Sequence, residues 1–209
     1  MTESSFSMVS NPFATRYTRP HLGEYLFPAG SDAGSLLERL RDDRWWGQIT
    51  GPHGSGKSTL AHTLLPSLQA AGRCVELYAL HTPTARGRDG SRPPTALWRS
   101  SVSNWNASTQ IVVDGYEQLS WLQRTWLQWH CRRRQAGLLV TAHRDLGLPQ
   151  LWRTETSAEL TQRIVARLLA ERDAGWLRQD KVERLFAEHQ GNVREVLFAL
   201  YDSYERLGR

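Results

Sequence analysis

The chain has 209 residues, 40% hydrophobic and 22% charged, a balance that fits a globular protein and excludes a disordered one. No run of about 18 apolar residues occurs, so no membrane-spanning helix is expected. The N-terminal MTESSFSMVSNPF lacks a basic stretch followed by an apolar one, so no signal peptide is expected either, and the expected location is the cytoplasm. The formal net charge is +5, and among the 26 cationic side chains only Lys57 and Lys181 are lysines. Such an excess of arginine is compatible with nucleic acid or another anionic partner, and equally with a solvated surface.

Cys74 and Cys131 belong to no CxxC pair or Cys/His cluster of zinc-ligand spacing, so they are expected to be reduced thiols in or near the core.

In chain order, residues 1–31 lack any period and predict an arm that packs through Phe13, Tyr17, Tyr25, Leu26 and Phe27. Residues 32–44 predict a helix with Leu36, Leu37 and Leu40 on one face and Asp32 placed to cap it. Trp45–Thr50 predicts a short strand, and Lys57–Ala71 a helix through Leu60, Leu64, Leu65 and Leu68. The alternating, β-rich segment Arg73–Leu80 predicts a second strand, and the Pro-, Gly- and Arg-rich residues 81–95 a loop, with a short helix over 95–104. Ile111–Asp114 and Gly137–Thr141 predict buried strands on either side of a helix from Gln118 to Arg134. In that helix Trp121, Trp126 and Trp129 have helical spacing, which favours core positions over a surface that stacks bases, and Arg132, Arg133 and Arg134 suit the negative end of the dipole, with anion binding as the alternative. Residues 145–155 predict a loop with a short strand near Glu155.

Beyond this point the pattern is wholly helical. Thr156 and Glu159 have capping-box spacing, Asp180 can cap a second helix, and Asn192 with Glu195 a third. Strands alternating with helices predict an α/β fold with a parallel sheet, here over residues 32–156, followed by a small helical lid over 157–209.

Between the first strand and its helix lies Gly51-Pro52-His53-Gly54-Ser55-Gly56-Lys57-Ser58, followed by Thr59, which satisfies GxxxxGK[ST] in the strand–loop–helix context that the motif requires. A triphosphate carries several charges that must be desolvated. Glycines let consecutive N–H groups point inward as a nest, and the helix start adds its positive end. Lys57 then reaches the β- and γ-phosphates, and the Ser58 hydroxyl ligates Mg²⁺. Ile111-Val112-Val113-Asp114 has the form of a Walker B strand, which delivers Asp114 to the sheet edge beside the metal. Glu117, three residues on, is either the group that orients the attacking water or a carboxylate at a helix N-terminus. No NKxD-type guanine-reading motif occurs, which favours ATP over GTP, and Phe13 or Tyr17 from the arm is positioned to cover the adenine.

On GPHGSGKS, IVVDGYEQ, the strand LLVT and a helical tail bearing GNVRE, residues 32–209 resemble the AAA-type branch of P-loop ATPases. The resemblance implies that Thr141, ending its strand, senses the γ-phosphate, and that Arg194 closes on the nucleotide; the plain alternatives are a strand-end hydroxyl and a solvated helix charge. It also implies a homo-oligomer in which a neighbouring subunit donates an arginine, with Arg144 and Arg153 as candidates. One departure matters. Gly115 follows Asp114 where the family carries glutamate, so either Glu117 substitutes or hydrolysis is slow. His143-Arg144-Asp145-Leu146 copies the start of a protein-kinase catalytic loop but lacks the accompanying motifs, and is set aside.

The sequence therefore predicts an ATP-binding protein, an Mg²⁺-dependent ATPase or ATP-driven switch acting on a protein or nucleic-acid partner. A small-molecule or nucleotide kinase is one alternative, with the 81–95 loop and Arg163, Arg167 and Arg172 over an acceptor. A non-hydrolysing, ATP-binding scaffold is the other.

Overall fold

A computed structural model describes residues 11–13, 24–80, 101–169, 177 and 179–207. The expected loop at 81–95, most of the short helix after it, Tyr17 and Arg172 lie outside the described residues. The chain divides into two compact units, Glu24–Glu155 and a second formed by Met1–Gly23 with Thr156–Arg209.

The first unit is a five-stranded sheet flanked by helices. Its strands are β1 (Trp46–Thr50), β2 (Cys74–Ala79), β3 (Thr109–Asp114), β4 (Gly137–Ala142) and β5 (Gln150–Arg153). Among the described residues its α-helices include α1 (Ala33–Asp42), α2 (Lys57–Ala70) and α3 (Trp121–Arg134). All pairings are parallel, in the order β2-β3-β4-β1-β5. β3 and β4 are buried along their whole length, as strands covered on both faces must be. Their side chains alternate between two cores. Ile111, Val113, Leu138 and Val140 face Leu127 and Cys131 of α3, whereas Val112 and Leu139 join Leu36 and Leu40 of α1 and Leu60, Leu64 and Leu68 of α2.

Local chemistry sets the element ends. Asp32 and Ser35 form the reciprocal capping box of α1, as the sequence leads one to expect. β1 starts at Trp46 rather than Trp45, because Trp45 takes a left-handed backbone (φ +67°) incompatible with a strand, in a turn closed by its N–H on the Leu40 carbonyl. The helix expected from Gln118 begins instead at Trp121. Tyr116–Gln118 form a 3₁₀ turn, and Ser120 with Gln123 makes the capping box. β5 covers Gln150–Arg153, upstream of the expected position, and pairs with β1. Cys131 is buried, but Cys74 starts an edge strand and is exposed.

The second unit contains α4 (Ala158–Leu169), α5 (Gln179–Glu188) and α6 (Val193–Leu207). Val165, Leu169, Val182, Val196 and Leu200 build its core around Phe13. Ser157, not Thr156, accepts the Leu160 N–H at the start of α4. Asp180 lies in the first turn of α5 and binds Arg184 at 3.3 Å, while Asn192 accepts the Glu195 N–H at 3.4 Å.

Candidate functional site

The loop Gly51–Gly56 joins β1 to α2 at the C-terminal edge of the sheet, where parallel α/β folds bind their ligands. Gly51, Gly54 and Gly56 take φ values of +154°, +69° and +87°, which curl the backbone around the start of α2. Gly51 also leaves no room for a side chain, since a Cβ there would meet Thr154 Oγ1 at 2.1 Å and its carbonyl oxygen at 2.6 Å. Thr154 follows β5 and braces the loop. Its N–H donates to the Thr50 carbonyl at 2.7 Å, and its hydroxyl lies 2.6 Å from Ser55 Oγ. The tyrosine ring of Tyr25 covers the same loop, 3.4 Å from where a Gly56 Cβ would sit. The expectation that Phe13 covers an adenine is not met, because Phe13 is fully buried among the helices of the second unit.

Lys57 opens α2, and its ammonium is largely buried. Nζ donates to the carbonyls of Gly51 (2.9 Å) and Pro52 (2.6 Å) and approaches His143 Nδ1 at 3.1 Å. Ser58 Oγ donates to Asp114 Oδ1 at 2.9 Å, so the loop and the end of β3 meet across 56 residues of sequence. The Asp114 carboxylate also accepts the hydroxyl of Thr141, and that hydroxyl accepts the Gly115 N–H at 2.9 Å. The backbone then turns sharply. Gly115 has φ +88°, a conformation that disfavours glutamate, and the following 3₁₀ turn carries Glu117 back towards the site.

His143 lies two residues beyond Thr141. Its Nε2 is 3.1 Å from Glu117 Oε1, and its ring stacks on His53 with centroids 3.6 Å apart. The tautomer follows from these partners. Nδ1 accepts from the Lys57 ammonium and Nε2–H donates to the Glu117 carboxylate, so the 3.3 Å approach of Nδ1 to the Gly51 carbonyl carries no proton. Burial first, and the Lys57 charge second, hold the His143 pKa below its ordinary value, which agrees with a neutral ring. Glu117 Oε2 is buried and has no hydrogen-bond partner.

Lys57, Ser58, Asp114, Glu117 and the glycine loop are thus gathered at one place, with Thr141 engaged on Asp114. Thr59 follows in the first turn of α2. Arg144 and Arg153 are exposed, and Arg194 is exposed in the first turn of α6 in the second unit. Sequence reasoning misses His143 and Thr154. The signal in the sequence is a polar residue just past a strand end, His143 after β4 and Thr154 after β5, and at His143 it coincides with the kinase-like tetrapeptide.

The donor set suits a magnesium-bound triphosphate. Ser58 and Asp114 present adjacent hard oxygen ligands, the loop is a cradle that a Cβ would fill, and Glu117 keeps an orphaned oxygen. No cluster of three or more His, Cys, Asp or Glu suited to a metal occurs among the described residues. No described helix is long and apolar enough to cross a membrane.

No protein-family model matches the sequence, and no curated protein matches it. Solved structures do. A replication initiator DnaA bound to AMPPCP and single-stranded DNA superposes with a TM-score of 0.56 at 14% identity, over 84% of this chain and 61% of that one. AMPPCP-bound DnaA from Aquifex aeolicus gives 0.51 at 15% identity, over 82% and 61%. Domain III of the Thermotoga maritima replication initiation protein DnaA gives 0.55 at 13% identity, over 88% of each chain. The chain therefore spans about three fifths of the longer initiators and nearly all of the isolated domain. With its parallel five-stranded sheet and flanking helices, it has the AAA-type P-loop NTPase fold of these domains.

Proposed function

We propose that this chain binds ATP with Mg²⁺ and acts as an ATPase or ATP-driven switch on a protein or nucleic-acid partner. The observation that carries the reading is the convergence of Lys57, Ser58 and Asp114, with Ser58 Oγ on Asp114 Oδ1 at 2.9 Å beside a loop whose first glycine has no space for a side chain. Two of the similar structures hold AMPPCP, and one of them also holds single-stranded DNA, which supports the same class of ligand here.

Ser58 and Asp114 would hold the Mg²⁺, which supplies charge neutralisation to the phosphates. The loop N–H groups and the start of α2 bind and orient phosphate oxygens, and Lys57 exchanges its loop carbonyls for them. Glu117 accepts the His143 Nε2–H on Oε1 and keeps Oε2 to accept a proton from an attacking water. Placed this way, Glu117 takes the part that the glutamate next to the Walker B aspartate plays in AAA-type enzymes, which favours hydrolysis over the scaffold reading. Arg194 is the residue proposed to supply a cation to the γ-phosphate.

The test is calorimetric MgATP binding and steady-state phosphate release. Lys57→Ala should weaken MgATP binding by at least about tenfold, since it removes a charge-assisted hydrogen bond to phosphate. Glu117→Gln should keep the affinity and slow turnover by roughly 100-fold. Arg194→Ala should lower turnover as well. Unchanged binding in Lys57→Ala would sink the site assignment. Product formation that depends strictly on an added phosphate acceptor would point to a kinase instead.

A further inference from the structure

Helix α3 does not place its tryptophans as their spacing suggests. Its core face is Leu127 with Cys131, and Trp121, Leu122 and Trp129 stand 74%, 69% and 54% exposed. At 3.6 residues per turn, Leu122, Thr125, Trp129 and Arg133 fall along one line, with Trp121 and Arg132 beside it. Large rings left to water on a folded surface mark a contact surface.

The charge on this helix selects the partner. α3 carries Arg124, Arg132, Arg133 and Arg134 and contains no carboxylate. None of Arg132, Arg133 and Arg134 forms an ion pair with another described residue. Arg133 lies over the Trp129 ring at 5.6 Å, and Arg132 over Trp46 at 5.1 Å. Guanidinium groups already stacked on rings keep their N–H edges free for phosphate oxygens. The helix offers no carboxylate to a cationic partner, so its rings stand beside side chains of one sign that suit a polyanion. Flat π-faces next to unpaired cations complement a strand of bases and phosphates.

We propose that the exposed face of α3 binds single-stranded nucleic acid, with Trp121 and Trp129 stacking on bases and Arg132 and Arg133 holding phosphates. This names the partner class and surface that the functional reading above leaves open. It needs neither ATP binding nor hydrolysis.

The experiment titrates the full chain, without nucleotide, with a fluorescent oligothymidylate at several salt concentrations. Wild type should bind with quenching of tryptophan emission. Each of Trp121→Ala and Trp129→Ala should weaken binding on the order of tenfold. Replacing Arg132 and Arg133 by Gln should lower the slope of log affinity against log salt by about 0.7 for each phosphate no longer neutralised. MgATP binding by the same variants checks that they fold, and oligonucleotide binding retained by Lys57→Ala separates this site from the P-loop. The proposal is overturned by absence of binding in wild type, by wild-type affinity in Trp121→Ala/Trp129→Ala, by a preference for duplex, or by equal competition from inorganic polyphosphate. It is also overturned if the tryptophan variants change only self-association, which would make the face a contact between copies or with another protein.

Discussion

His143 joins the two halves of the candidate site. Its ring accepts a hydrogen bond from Lys57 on one nitrogen and donates one to Glu117 from the other, while His53 covers its face. Protonation would put a cation beside the Lys57 ammonium, which is one reason the folded chain holds the His143 pKa below its ordinary 6.5. A histidine with a depressed pKa binds fewer protons folded than unfolded, so stability rises with pH across the window. The contribution of His143 is complete above about pH 6.5 and is lost as pH falls from there through the depressed value. His130, lowered by burial and by Arg134 and Arg133, acts with the same sign. The measurement is therefore the difference in urea midpoint between wild type and His143→Gln from pH 5 to 8. It should depend on pH below about 6.5 and flatten above it; a difference that is constant with pH would contradict the neutral assignment. Lys57, Ser58 and Asp114 are legible as residues because their motifs are local strings. His143 is not, because its partners come from two segments of chain far from it in sequence, the Gly51–Lys57 loop and Glu117.

At the scale of elements, α3 shows where periodicity runs out. Trp121, Leu122, Trp126, Leu127, Trp129 and Cys131 spread apolar side chains around the whole helix, so the pattern identifies a helix but not its buried face. Packing against Ile111, Val113, Leu138 and Val140 selects Leu127 and Cys131, both fully buried. Two leucines on this helix should then differ sharply. Leu127→Ala leaves a cavity and should cost about 2–5 kcal/mol, whereas Leu122→Ala, on the exposed face, should stay within about 0.5 kcal/mol. Chemical denaturation of the two variants checks this, and equal losses would mean that the buried face is wrongly assigned. Helix starts show a related limit. Ser and Thr neighbours at 156 and 157 both suit a cap, and only the backbone path chooses Ser157.

For the whole molecule, a ligand that binds the folded site and not the unfolded chain must stabilise the fold. MgATP at about 100 times its Kd should add roughly 2.7 kcal/mol, read as a shift in the thermal or urea midpoint, and Lys57→Ala should abolish most of it. An equal shift in that variant would place the nucleotide elsewhere. The sequence by itself determined the alternation of strands and helices, the phosphate loop between β1 and α2, and the carboxylate ending β3, since each is written in a few consecutive residues. Tertiary structure alone decided the strand order. With β4 inserted between β1 and β3, the end of β4 and the residue just past it lie between the loop and Asp114, which is why Thr141 meets Asp114 and His143 meets Lys57 and Glu117. It also placed β5 beside β1, where Thr154 braces the loop, and turned two tryptophans of α3 outward. Strand order and helix rotation depend on contacts between segments far apart in the chain, and no local string of residues encodes them.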